Sequence, residues 1–146
     1  MQAELKPESL LELRIPSKPD RLCLVRALVK RVAENAGCSE GLTERLVVAI
    51  NEACMNVIQH AYKGDEAGEM VLEILNNGSQ LVFRLKDFAE PIDLQSVRPR
   101  ELEDIRPGGL GVHFIREIMD DWRLGHLEEG AGNILEMTKK IDAGPR

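Results

Sequence analysis

Hydrophobic positions recur along this chain with two distinct periods, and their order predicts its elements. Residues 10–15 alternate loosely and predict a first strand, closed by Pro16 and Ser17. Over residues 19–36 the spacing turns helical, with Leu22, Val25, Leu28, Val29 and Val32 on one stripe. Pro19 suits a first helical turn and Gly37 a helix end. Ser39 is placed to cap a second helix, which carries residues 42–62 and stops near Gly64.

The second half of the chain reads as hairpins around one helix. Residues 71–75 and 80–87 predict two strands joined by Asn76-Asn77-Gly78-Ser79, since Asn-Gly is a strong hairpin signal. Leu81, Phe83 and Leu85 share one face of the second strand, and Val82, Arg84 and Lys86 the other. Asp87 continues the parity of the first set, which aims a carboxylate into the core, where it needs a partner. Residues 90–107, rich in proline and holding Arg98, Arg100 and Arg106, predict a long loop of the kind that forms lids, with a short helical turn at 100–104. Pro107-Gly108-Gly109-Leu110-Gly111 leads into an amphipathic helix over residues 112–120. Residues 122–127 and 133–141 predict a last hairpin, closed by residues 128–132. Hairpin-joined strands favour a mixed, mainly antiparallel sheet, and helices must hide their apolar stripes on one face of it. The expected fold is a two-layer α/β sandwich forming a single domain over residues 1–146.

Composition narrows the function classes. The 146 residues suffice for one substantial core, and the net charge of −6 argues against a nucleic-acid backbone as main partner. The three cysteines, Cys23, Cys38 and Cys54, are scattered without Cys-x-x-Cys spacing, which predicts reduced thiols. The first residues lack the apolar core of a signal peptide, and no apolar run approaches membrane-spanning length. These features predict a soluble cytoplasmic protein without a membrane partner.

The richest chemistry lies on the second helix. Glu52, Asn56, Gln59 and Lys63 form a narrow polar stripe beside an apolar one of Leu46, Ala49, Ile50, Ala53, Val57 and Ala61. Glu52 and Asn56 sit one turn apart, where they could supply a base and an oxygen ligand for a divalent cation. Each signal has a plainer reading alone. Polar pairs at this spacing are usually solvated, a strand-end aspartate usually caps a turn, and His60 suits a helix C-terminus as a dipole contact or packed ring. Glycines before a helix can cradle phosphate or serve as a hinge, and this segment is neither a Walker motif nor a dinucleotide fingerprint. No zinc spacing or nucleophile triad is present.

Taken in order, Glu-x-x-x-Asn, a strand-end Asp, a long loop and a Gly-Gly-x-Gly helix start resemble the ATP-binding domain of the GHKL superfamily, the Bergerat fold. Glu52-Ala53-x-x-Asn56-x-x-x-His60-Ala61-Tyr62 looks like the N box of anti-sigma-factor serine/threonine protein kinases. Gly108-Gly109-Leu110-Gly111-x-x-x-Ile115-Arg116-x-x-Met119-Asp120 looks like their second glycine box. The resemblance spans roughly the whole chain and implies ATP and Mg²⁺ as cofactors. It implies that Asn56 binds the metal, that Glu52 is the general base or orients the attacking hydroxyl, and that Asp87 accepts a hydrogen bond from the adenine amino group. Gly108, Gly109 and Gly111 would bring backbone amides to the phosphates beneath a lid over residues 93–107. His60, Ala89, Ile92, Arg106, Leu110, Val112 and Asn133 would complete the nucleotide pocket.

Two positions depart from the pattern. The first glycine box, commonly Asp-x-Gly-x-Gly, is Asp87-Phe88-Ala89-Glu90-Pro91, which bears on affinity and lid movement rather than fold. A common Gly-Thr near the last strand is Gly132-Asn133, where Asn133 can both donate and accept, and Thr138 is an alternative polar group. By resemblance, the protein is expected to be a partner-switching kinase. It would bind a sigma factor or other effector, phosphorylate a small anti-sigma-factor antagonist on serine or threonine, and form a homodimer. The competing expectation, motivated by the altered glycine box, is a nucleotide-responsive binding module without kinase activity. A sensor histidine kinase domain fits less well, because the His60-Ala61-Tyr62 ending matches the anti-sigma group better.

Overall fold

A computed structural model describes residues 8–91, 110–127 and 132–142. Strand β1 (Glu8–Pro16) is followed by a 3₁₀ turn (Pro19–Arg21) and helix α1 (Leu22–Asn35). Helix α2 (Glu40–Asn56) runs on into a π-helical segment (Val57–Ala61). Strands β2 (Glu69–Asn76) and β3 (Gln80–Asp87), helix α3 (Leu110–Ile118), and strands β4 (Asp121–His126) and β5 (Asn133–Lys140) complete the order.

Local chemistry explains the boundaries. Proline at the first position opens the 3₁₀ turn before α1, and Gly37 (φ +91°) takes the left-handed conformation after it. Ser39 caps α2, its hydroxyl accepting from the Leu42 amide at 3.1 Å. The same serine is clasped from the far end of the chain, where the Asp142 carboxylate accepts from its amide (2.9 Å) and its hydroxyl (2.5 Å). Those bonds hold the Asp142 carboxyl below its ordinary value. In the β2–β3 turn Asn77 Oδ1 accepts from the Ser79 and Gln80 amides, and Gly78 takes φ +96°.

The five strands form one sheet in the order β1-β2-β3-β5-β4, and every pairing among the described residues is antiparallel. β5 thus lies beside β3, with Asp87 opposite Asn133 at the end of the ladder. Helix α2 is central, packing against α1 and α3. The helices cover the sheet face formed by Ile15, Met70, Leu72, Ile74, Leu81, Phe83, Leu85 and Met137, which share one core with Val25, Val29, Leu46, Ile50 and Ile115. Fully burying a large apolar side chain contributes about 1.5–3 kcal/mol, so this face carries most of the driving force for the two-layer fold. The opposite face bears a row of charges in register across all strands: Glu12, Glu73, Arg84, Glu136 and Arg123. Arg84 bonds Glu136 at 2.8 Å and Glu73 at 3.4 Å.

The expected elements are present, with instructive differences. Leu28 and Val32 are only partly buried, whereas Ala33 is fully buried on α1. The long second helix does not keep α geometry to position 62. It widens after Asn56, and Lys63 lies beyond its end with φ +52°. α3 is already helical at Leu110, so Gly111 belongs to the helix rather than to the turn before it. The proposed lid, the helical turn at 100–104, Arg98, Arg100, Arg106, Ile92, Gly108 and Gly109 lie outside the described residues. All three thiols are free; Cys23 is exposed and Cys54 buried. Among the described residues no helix is long and apolar enough to cross a membrane, and no cluster of His, Cys, Asp or Glu could hold a metal.

Candidate functional site

Asp87 ends β3 on the core face, as its parity predicts, and is only 5% exposed. Its Oδ1 accepts from the Asn133 side-chain nitrogen at 3.0 Å and from the Ala89 amide at 3.0 Å. Oδ2 receives no hydrogen bond among the described residues. Burial pushes the Asp87 carboxyl above its ordinary value, and the bonds from Asn133 and Ala89 oppose that shift. The bond to Ala89 folds the chain back on itself as an Asx turn, so the plain reading of a strand-end aspartate holds as well. The turn does not use up the carboxylate.

Asn133 is buried and also donates to the Glu90 carbonyl at 3.1 Å. One amide therefore fixes both the carboxylate and the backbone of the segment that carries the altered first glycine box. Gly132, just before it, approaches that segment too closely for any side chain. A Cβ there would lie 2.1 Å from the Asp87 carbonyl oxygen, and its φ of +153° disfavours other residues. Sequence reasoning placed Asn133 near a base and Gly132 in the closing turn of the last hairpin, without a close approach to β3. A glycine just ahead of a strand that pairs with the Asp87 strand is the signal for such a close approach.

Glu52 and Asn56 lie on α2, both partly exposed beside the buried Ala53 and Cys54. The Asn56 Nδ2 atom is buried and has no hydrogen-bond partner among the described residues. Such a group costs about 1–3 kcal/mol. An amide oxygen that could turn to a cation has the hard-ligand chemistry that Mg²⁺ prefers, so this side chain would suit a Mg²⁺ ligand. The rest of the predicted polar stripe diverges, with Gln59 and Lys63 exposed on and beyond the π-helical segment. His60 lies within that segment and is partly buried. Leu110, Gly111 and Val112 open α3, which packs on α2.

Tyr62 joins the α2 end to the Asp87 end. Its hydroxyl donates to the Glu69 carbonyl at 2.6 Å and accepts from the Phe88 amide at 2.8 Å. Ser17 anchors the loop between Tyr62 and β2, its hydroxyl donating to the Asp65 carbonyl (2.6 Å) and its amide to that of Gly68 (2.9 Å). The segment that follows α2 and the residue after Asp87 are therefore hydrogen-bonded neighbours.

Comparison with known proteins identifies the family and agrees with the fold. The profile of the histidine kinase-like ATPase domain matches residues 15–139. The serine-protein kinase RsbW of Listeria monocytogenes serotype 4a (strain HCC23) is 35% identical over 140 residues, covering 90% of this chain and 87% of that protein. RsbW of Bacillus cereus (strain B4264) is 34% identical over 143 residues, covering 90% and 84%. Among solved structures, the SiaB–SiaC complex of Pseudomonas aeruginosa matches with a TM-score of 0.63 at 15% identity, covering 92% of this chain and 91% of that one, a likeness of fold. The chain thus belongs to the histidine kinase-like ATPase family of the GHKL superfamily, in the group of the RsbW-type anti-sigma-factor serine kinases.

Proposed function

We propose that this protein transfers the γ-phosphoryl group of ATP to a serine or threonine of a small anti-sigma-factor antagonist, and in its other state binds a sigma factor or comparable effector. The observation that carries the reading is the buried Asp87 carboxylate. Asn133 and Ala89 hold one oxygen, and the other receives no bond among the described residues. That second oxygen is an acceptor for the exocyclic amino group of adenine. Asn56 would hold Mg²⁺, which would supply charge neutralisation for the transferred group. Glu52, one turn earlier on α2, takes the proton from the attacking hydroxyl. The hydroxyl oxygen then bonds to the γ-phosphorus as the bridge to the β-phosphate breaks and ADP leaves. Phosphoryl transfer of this kind needs positioning and charge compensation above all, and α2 and the β3 end supply the first.

The RsbW relatives support the serine-kinase reading by name, and the fold of a chain solved in a protein complex supports a protein partner. The test is Glu52→Gln. A base contributes about 10²–10⁴-fold, so radiolabel transfer to the cognate antagonist should fall by that order. ATP·Mg²⁺ affinity should stay within about twofold, since the substitution removes no binding contact. Wild-type transfer by the variant removes Glu52 from the role of base. Tight ATP binding with no transfer by the wild-type protein would leave a nucleotide-responsive binding module, the reading that Pro91 and the missing glycines of the first glycine box favour.

A further inference from the structure

We infer that Tyr62 is a positioning residue, a strut that sets the span between the base-reading and phosphate-holding ends of the site and so governs the preference for adenine. The inference rests on the proposed function. The β2–β3 ladder ends with Met70 opposite Asp87, and the next rung would pair Glu69 with Phe88. That rung is occupied by the Tyr62 hydroxyl, which donates to Glu69 O (2.6 Å) and accepts from Phe88 N (2.8 Å). A phenol has one donor and can accept, so a single oxygen satisfies both strands. The strands part at the residue after Asp87, and a side chain from the α2 end fixes where they part.

Two features aim the ring there. The π-helical segment closes with the Tyr62 amide bonded to the Val57 carbonyl at 2.9 Å, one residue wider than an α turn. The widening turns position 62 away from the course that an unbroken α-helix would give it. Gly68 then leaves room for the ring, since a Cβ at that position would lie 2.5 Å from two ring carbons. Ser17 holds the same loop from the β1 side, so the strut has a firm footing. Asp87 discriminates bases because a carboxylate attracts the amino group of adenine and repels the carbonyl oxygen of guanine. That discrimination depends on where the strand end lies, which makes the Tyr62 hydroxyl a determinant of selectivity without contact to the nucleotide.

The test uses the full chain with Tyr62→Phe, which keeps the ring and removes the hydroxyl, and Gly68→Ala, which keeps the hydroxyl and displaces the ring. Calorimetric titration with ATP·Mg²⁺ and GTP·Mg²⁺ should show ATP affinity about tenfold weaker in both variants, from loss of one hydrogen-bonded unit, and the ATP:GTP ratio about fivefold lower. Amide exchange at Phe88 should accelerate at least about tenfold while core amides such as that of Leu72 keep their protection, because the opening is local. A wild-type ATP:GTP ratio in Tyr62→Phe, or unchanged exchange at Phe88, overturns the strut. If the wild-type chain binds neither nucleotide, the functional reading fails on its own, and exchange at Phe88 still decides whether the strut exists.

Discussion

Among the described residues the Asp87 carboxylate has hydrogen-bond partners, whereas the Asn56 side-chain nitrogen has none. The carboxylate is held by Asn133 and Ala89, and the backbone beside it by Tyr62 and Asn133. The Asn56 amide, on a well-formed helix, keeps a buried nitrogen without a partner among the described residues. The contrast teaches a division of labour. On the proposed reading the Asp87 end is preorganised, so binding there would cost little reordering, whereas the Asn56 end keeps a buried amide nitrogen without a partner among the described residues. Substitutions at the two ends should therefore separate affinity from stability.

The largest expected difference is in binding. Asp87→Asn should weaken ATP by about a hundredfold, from loss of a charge-assisted bond worth about 1.5–3 kcal/mol, and leave GTP nearly unchanged. Asn56→Ala should weaken ATP by about tenfold only when Mg²⁺ is present, with the ATP:GTP ratio intact. Titrations with and without metal distinguish the two. Identical profiles for both variants would erase the proposed division.

Stability should move in opposite directions. Gly132→Ala forces a Cβ against the Asp87 carbonyl and should cost at least about 2 kcal/mol, or about 4–8 °C in melting temperature for a domain of this size. Asn133→Ala removes the bonds to Asp87 and Glu90 and should cost about 1–3 kcal/mol. Asn56→Ala should leave the melting temperature unchanged or raise it, because it deletes an unpartnered buried group. A fall comparable to that of Asn133→Ala would mean that Asn56 is a structural residue.

The smallest effect is in pH dependence. Burial raises the Asp87 carboxyl in the folded state above its unfolded value. The native state then takes up the proton more readily, and stability falls as pH rises through the folded value. Asp87→Asn removes that loss. Its melting temperature should exceed that of the wild type at pH 7, and the gap should close as pH falls through the carboxylate range. A gap that widens on acidification would mean that the carboxylate is net stabilised by its partners.

Much of the fold was legible because period and punctuation are local. The inward parity of Asp87 followed from strand alternation, and the Ser39 cap and the Asn-Gly hairpin from turn chemistry. The two-layer sandwich followed from the order of elements. The features that tune the site are long-range. The π-helical widening takes in nearly one extra residue per turn, and the apolar spacing up to Asn56 does not announce where it begins. Tyr62 stood in the sequence as the last letter of a motif, yet its function depends on Glu69 and Phe88, which only the β2–β3 register brings together. Asn133 was legible as a polar group near the base, and its service to Asp87 depends on β5 lying beside β3. The glycine-box residues 108 and 109 and the proposed lid fall outside the described residues, and their assignment rests on the sequence motif.

The three thiols differ in a way that is of practical use. Cys54 is wholly enclosed, and burial pushes its thiol up to about 12, so it supplies almost no thiolate at neutral pH. Cys38 is partly covered and is raised in the same direction by burial and the nearby Asp142. Cys23 is exposed on the first turn of α1. A maleimide dye should therefore attach there first without engineering, giving a fluorescent reporter of partner docking on the native chain.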